Sequence, residues 1–282
     1  MSLVPESIST IGKIYARYEE VAKQEPKRKH LGGSEIGQQC ERKLWYSFHH
    51  CFDTAFDGRM HRLFQTGHLE EDRVVADLEA TGAIVTDRQK KVLILGGFFG
   101  GSIDGIIEGL FESPKTLHLF ECKTHSDSSF VKLRREGVEK AKPEHWIQMH
   151  TYMGLNKLTR ACYIAKNKNN DELYMERVHF DPDVYKAAIE RAKHILTTRS
   201  LAPRLSTNPE SYVCRYCEFK FPCHANSQPK KNCRTCTHSS PILEGEVHQK
   251  LRCNFRNEVI SDDVELIGCE SYQVHEALQV TE

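Results

Sequence analysis

The sequence predicts an α/β protein in which helices flank a mixed central sheet, followed by a small cysteine-rich module. Three observations carry this. Apolar residues recur at helical spacing up to about Thr81, change to glycine-broken strand-like runs from Lys91, and return to helical spacing after Glu144. Seven of the 11 cysteines lie between Cys214 and Cys269, where the periodicity fades. The 39 Lys and Arg balance 39 Asp and Glu over 282 residues, which excludes a protein that coats nucleic acid through bulk positive charge. At about 150 residues per domain the length suits two domains. The longest uncharged apolar stretch, Val92 to Ile103, falls short of the ~20 residues that span a bilayer. There is no signal-peptide pattern, so a soluble cytoplasmic protein without membrane contact is expected.

The elements follow in order. Ile11, Ile14, Tyr15, Tyr18 and Val21 share a helical stripe that ends at Pro26. Lys27, Arg28, Lys29 and His30 form a basic cluster, and Ser34 is the expected N-cap of a second helix through Cys40, Leu44, Trp45 and Phe48. A third helix covers residues 59–81, with Leu63, Phe64, Val74, Val75 and Leu78 buried and Gly82 at its end. KVLIL, GGFFGG and SIDGIIEG read as a glycine-turned meander, and TLHLFECKT as a strong strand. Helix returns over 144–158, then ACYIAKNK and ELYMERVHF pair around Asn169-Asn170-Asp171, and a long helix from Asp181 to Arg199 has Pro182 in its first turn. A boundary falls near Ala225. The C-terminal end is acidic up to Glu282, with no Lys or Arg after Arg256.

On the strand TLHLFECKT, Glu121 and Lys123 stand two residues apart and so share a face. Asp104, on the preceding predicted strand, brings a second carboxylate to the same edge. Two carboxylates and a lysine suit metal-assisted phosphodiester hydrolysis. Mg²⁺ or Mn²⁺ prefers hard oxygen ligands, keeps positions for phosphate oxygens and lowers the pKa of a bound water. Lys123 then orients the nucleophile or helps deprotonate it. Further along, Gln148 and Tyr152 lie at i and i+4 on one helical face.

In this order, Asp104, Glu121-x-Lys123 and Gln148-x-x-x-Tyr152 resemble the PD-(D/E)XK nuclease superfamily, and the Gln-x-x-x-Tyr spacing resembles its RecB-like branch. The resemblance implies a restriction-endonuclease-like core. It makes Glu70, three residues after Gly67, a metal ligand or water-mediated partner, with Glu71 and His68 as fallback choices. The implied activity is that of a Mg²⁺- or Mn²⁺-dependent DNA exonuclease, like the stand-alone enzymes of phages and bacteria that resect ends for recombination or repair. A catalytically idle nucleic-acid-binding or assembly module of a recombination complex is the alternative, as is an endonuclease.

CRYCEFKFPC supplies Cys214, Cys217 and Cys223, three thiolates where zinc or a cubane cluster takes four. One cysteine upstream of the nuclease motifs, Cys40, and three downstream resemble the iron-sulfur staple of RecB-family and CRISPR-associated exonucleases. By that resemblance the four hold a 4Fe-4S cluster, with zinc as the competing ion. The likeness spans roughly Leu31 to His224. Tying residues so far apart removes loop-closure entropy from the unfolded chain. Cys51, Cys122 and Cys162 lack ligand spacing and are expected to be buried.

Cys233, Cys236, Cys253 and Cys269 are sufficient for a four-thiolate zinc site, although the last two do not form a second Cys-x-x-Cys. His224, His238 or His248 can replace the last ligand. The division expected is therefore a helical segment 1–30, a nuclease domain 31–224 and a zinc module 225–282 with an acidic tail.

A neutral nuclease must concentrate positive charge locally. Lys132, Arg134, Arg135, Lys140 and Lys142 against Glu136 and Glu139 follow the catalytic strand, and with Arg42 and the cluster 27–30 they are candidate DNA contacts. Residues 225–256 likewise carry six basic residues against Glu244 and Glu246. No phosphate-binding Gly-Lys-Ser/Thr follows the glycine run, and no helicase motor is present. The expected partners are DNA and a single-strand-binding or annealing protein, or a separate helicase, in a bacterial or phage-infected cell.

Overall fold

The computed structural model describes residues 9–54, 56–245 and 248–279; the acidic end expected up to Glu282 lies partly outside them. Helix α1 runs Thr10–Gln24, with the Ser9 hydroxyl accepting the Gly12 amide at 3.0 Å as its cap. Strand β1 is Leu31–Gly32, α2 Glu41–Phe48 and α3 Gly58–Ala80, the last capped by Asp57. At the start of α3 the Tyr15 backbone of α1 comes so close that a Cβ on Gly58 would lie 2.1 Å from the Tyr15 carbonyl oxygen. Only glycine admits this helix crossing.

Five strands build the main sheet: β2 (Ile84–Thr86), β5 (Gly105–Glu108), β6 (His118–His125), β7 (Arg160–Asn167) and β8 (Leu173–His179), hydrogen-bonded in that order. Only β6 and β7 run parallel, in the register Glu121 to Tyr163. Their crossover contains α4 (Asp127–Ala141) and α5 (Pro143–Asn156), as parallel neighbours require. Helix α4 is broken at Gly137, whose φ is +74°, and the Glu176 carboxylate accepts the Val138 amide at 2.8 Å to cap the segment beyond the break. Helix α6 (Pro182–Thr197) closes the layer.

The expected meander divides between two sheets. Strands β3 (Lys91–Ile94) and β4 (Phe99–Ser102) join β1 in a separate three-stranded sheet, which leaves Asp104 at the junction between the two. The helix expected from Ser34 begins only at Glu41. Leu31 and Gly33 donate to the Phe98 and Gly100 carbonyls at 2.8 and 2.7 Å, so extended pairing holds this segment and the helix starts beyond Cys40.

Three apolar layers result. Leu119, Tyr163, Tyr152 and Met153 pack between the sheet and α4 and α5; Phe120, Cys122, Val74 and Val75 pack on the other face against α3. A third layer joins Leu44, Trp45, Phe98, Ile195 and Leu196 to Cys233, Leu251 and Ile260. The C-terminal region therefore shares a core with α2 and α6. Besides a short helix α7 (Lys220–His224) it contains a sheet of β9 (Ser239–Pro241), β10 (Leu251–Cys253) and β11 (Glu258–Val259), then α8 (Asp262–Glu265). Its anchor is Arg234, fully buried, which donates to the Glu265 carboxylate at 2.6 Å and the Phe48 carbonyl at 2.8 Å and lies over the Phe48 ring. Among the described residues no helix is long and apolar enough to cross a membrane.

Candidate active site and cysteine clusters

Strand alternation turns Glu121 and Lys123 to one side of β6, and the β4–β5 junction brings Asp104 beside them. Lys123 is ion-paired with Glu121, and its Nζ stands 4.0 Å from Asp104 Oδ2. Asp104 Oδ2 accepts the Cys122 amide at 2.9 Å, which fixes its carboxylate. From α5, Gln148 Nε2 donates to Glu121 Oε1 at 2.7 Å. Glu121 is fully buried, yet its second oxygen, Oε2, has no partner among the described residues. Burial, then repulsion from Asp104, holds the Glu121 carboxyl well above the usual range. Burial pulls the Lys123 pKa down, but Glu121 and Asp104 outweigh it and hold the ammonium protonated. Tyr152, buried one turn beyond Gln148, packs against Gly33 and Gly101; a Cβ on Gly101 would lie 2.6 Å from its hydroxyl.

The third carboxylate is Glu71. It is buried, accepts Gln89 Nε2 at 3.0 Å, and has its pKa raised by burial and by Asp104. Glu70, the residue expected there, points elsewhere: it pairs with Lys166 at 2.7 Å, and Lys166 with Asp171 at 2.6 Å. The physical reason is the helix itself, where one residue turns a side chain by a little over a quarter of a turn. Among the described residues, no three His, Cys, Asp or Glu side chains stand in a ready-made metal-holding arrangement; in the carboxylate site the Lys123 ammonium takes the place between Glu121 and Asp104.

A cleft of about 1170 Å³ opens onto Glu71, Asp104, Cys122 and Lys123. Its walls include Arg17 and Tyr18 of α1, Phe64 and His68 of α3, and Arg28 and Lys168. Nothing would touch a Cβ on Gly67, so this floor is open. Of the charged candidates predicted from sequence, Arg28 lines it, whereas Arg42, Lys132, Arg134 and Arg135 do not. Arg42 donates to the Ala202 carbonyl at 2.8 Å and to Tyr46. Lys132 and Arg135 pair with Glu136, and Arg134 with Glu172, on the surface of α4. The wall residues on α1 and α3 carry no local pattern that separates them from an ordinary amphipathic helix.

Behind the carboxylates lies a polar cluster that sequence reading missed. The Tyr163 hydroxyl is 2.9 Å from His125 Nε2 and 2.8 Å from His145 Nδ1, and His125 Nδ1 is 3.0 Å from the Ser129 hydroxyl. Burial, with nearby lysines, pushes the pKa of His125 to about 4 and of His145 to about 2, so both imidazoles are neutral.

Cys40, Cys214, Cys217 and Cys223 line one cavity with Arg42, Tyr46 and Phe219. Cys233, Cys236, Cys253 and Cys269 line another with His238; burial, with the other three thiols, pushes Cys233 up to about 11. Neither His224 nor His248 borders this second cavity, and His224 borders the first. None of the 11 cysteines is joined in a disulfide, and Cys51, Cys122 and Cys162 are buried.

No protein-family model and no curated protein matches the chain. Fifteen solved chains match in structure. LHK-Exo in complex with dAMP is 16% identical, with 66% of this chain and 90% of that chain covered and a TM-score of 0.43. The alkaline exonuclease LHK-Exo from Laribacter hongkongensis is 16% identical over 64% of this chain and 90% of that chain, at 0.45. SSO0001 is 15% identical over 77% and 97%, also at 0.45. These likenesses are distant in both sequence and superposition.

Proposed function

We propose that the chain is a metal-dependent deoxyribonuclease of the PD-(D/E)XK type that acts on DNA ends in recombination or repair. The observation that supports it best is the bare, buried Glu121 Oε2 beside Asp104, next to a lysine held protonated. An unpaired buried carboxylate oxygen is costly. A hard divalent cation would satisfy it, and the oxygen-only donor set of Asp104, Glu121 and Glu71 would fit Mg²⁺ or Mn²⁺. When bound, the metal supplies an activated water and neutralises charge developing on the phosphate. Gln148 holds the Glu121 carboxylate in one orientation. Lys123, paired with Glu121 and 4.0 Å from Asp104, would orient the nucleophile or help deprotonate it, and places a positive charge near the attacked phosphate. Arg17, Arg28 and Lys168 in the cleft walls meet the phosphates of the strand, and Tyr18 and Phe64 offer faces to its bases.

The same reading assigns a 4Fe-4S cluster to Cys40, Cys214, Cys217 and Cys223, and zinc to Cys233, Cys236, Cys253 and Cys269, on the cysteine spacing and on each set of four bordering a common cavity. Both are structural in role. DNA is the substrate, and a single-strand-binding or annealing protein or a helicase is the class of partner, in the cytoplasm.

Anaerobically purified protein is incubated with end-labelled linear DNA and covalently closed DNA plus Mn²⁺ or Mg²⁺. Loss of linear DNA that Lys123→Ala abolishes supports the assignment; cleavage that survives Lys123→Ala overturns the mechanism. Closed circles cut as fast as linear DNA make it an endonuclease, and DNA binding without cleavage makes it the idle module. A brown preparation that Cys214→Ala bleaches supports the cluster, and a colourless zinc-only protein refutes it.

A further inference from the structure

The polar cluster behind the carboxylates repeats the site's own plan one step deeper. In the front layer, Lys123 of β6 and Gln148 of α5 both meet Glu121 Oε1. In the layer behind, His125 of β6 and His145 of α5 both meet the Tyr163 hydroxyl. The two layers are linked residue by residue. Tyr163 is the register partner of Glu121 across β6 and β7. His125 follows Lys123 by two positions, the next side chain on that face of the strand. His145 precedes Gln148 by three positions, one turn earlier on the same face of α5.

A phenol offers one proton and two lone pairs, and two neutral imidazoles supply one N–H and one bare nitrogen each. The hydroxyl can therefore bond both rings, and the Ser129 hydroxyl serves the far nitrogen of His125. This satisfied network ties α5 to the end of β6 at the place where Gln148 and Lys123 must both reach one oxygen of a buried carboxylate.

We propose that Tyr163, His125 and His145 are positioning residues whose shared hydrogen bonds set the Glu121 carboxylate for a divalent cation. The inference rests on the metal-dependent reading above. Outer-shell partners of this kind typically govern about 10- to 100-fold in metal affinity.

The test uses the full chain and Mn²⁺ alone, with binding followed by the loss of the free-ion EPR signal and folding followed by thermal unfolding and circular dichroism. Asp104→Asn with Glu121→Gln defines the signal that belongs to this site. Tyr163→Phe keeps the buried ring and severs both imidazole bonds; it is expected to weaken Mn²⁺ binding about 10- to 100-fold, with a lowered unfolding temperature that still leaves the protein fully folded at the assay temperature. His145→Ala has the same effect, and His145→Asn, which keeps a hydrogen-bonding group near the Nδ1 position, restores most of the affinity. Binding within about twofold of wild type in both Tyr163→Phe and His145→Ala overturns the proposal, as does a loss that merely tracks unfolding. Wild-type protein that binds no Mn²⁺ at Asp104 and Glu121 overturns it together with the metal reading. Wild-type protein that binds Mn²⁺ there but cleaves no DNA sinks the nuclease reading alone, and the EPR comparison still decides this one.

Discussion

Gln148 Nε2 holds Glu121 Oε1 at 2.7 Å, a bond from a helix to a strand across 27 positions of sequence. Its partner carboxylate is fully buried, so this amide and the Lys123 ammonium are the groups that fix its orientation. On the proposed nuclease reading, Gln148→Ala is expected to lower the saturating cleavage rate about 10- to 100-fold, as loss of an outer-shell partner does, and Gln148→Glu to lower it further by placing like charge against Glu121. A Gln148→Ala enzyme with wild-type turnover would remove this bond from the mechanism.

Glu70 and Glu71 are separable. Because Glu71 senses Asp104 while Glu70 pairs with Lys166, Glu71→Gln should raise the Mn²⁺ concentration for half-maximal cleavage and Glu70→Gln should leave it unchanged. The same pair predicts a stability effect. Burial and Asp104 raise the Glu71 pKa above its unfolded value, so the folded state holds this proton more tightly. Its contribution to stability is present at acid pH and is lost as pH rises through the folded pKa. Glu71→Gln is therefore more heat-stable than wild type at pH 8, and the difference closes near pH 4. A constant difference across that range is the outcome that refutes the argument.

The histidines act with the opposite sign. Burial, aided by neighbouring cations, pushes His30, His50 and His125 to about 4, against about 6.5 for the unfolded imidazole. The unfolded chain takes up protons first, so stability falls as pH drops from about 6.5 toward 4. Urea midpoints at pH 7.5, 6 and 5 should decline steadily, and His50→Gln should flatten the decline. Equal midpoints at pH 7.5 and 5 would contradict the burial of these rings.

Arg234 and Glu265 form a dry ion pair, their side chains 0% and 2% exposed. Removing one partner leaves a buried charge uncompensated, at a typical cost of about 3–5 kcal/mol. Arg234→Met alone should show that loss in urea unfolding, while Arg234→Met with Glu265→Leu recovers most of it, apart from what Glu265 gives Lys29 at 3.0 Å. A double variant as unstable as the single one would indicate that the cation's contact with the Phe48 carbonyl, not the ion pair, matters.

The legible part of this site is the part written in short periods. Strand alternation was enough for Glu121 and Lys123, and the i, i+4 rule for Gln148 and Tyr152. The choice of Glu70 over Glu71 was avoidable, because Glu71 shares the stripe of Val74, Val75 and Leu78 that packs α3 onto the sheet. The Tyr163 cluster was not legible, since His125, His145 and Tyr163 meet only through the β6 and β7 register. Ser34 misled because a capping residue signals a helix only where the backbone is free, and here it follows a strand paired to β4. Lys132, Arg134 and Arg135 pair with Glu136 and Glu172 away from the cleft, a placement that the local charge pattern does not encode. The C-terminal region is poor in large apolar residues of its own, and the core it shares with α2 and α6 depends on long-range packing that no local pattern records.

That shared core has a consequence for how the chain is made. The layer behind the carboxylates is assembled between Ile103 and Val178, so it can form while the chain is still emerging from the ribosome. The layer that joins Leu31 to Ile260, and the bonds from Asn232 to the His50 carbonyl and from Lys230 to the Cys51 carbonyl, wait for nearly the whole chain. Contacts of such sequence separation form slowly. A nascent chain can thus carry its carboxylates and lysine in place well before the segment bearing Arg28 is clamped beside them.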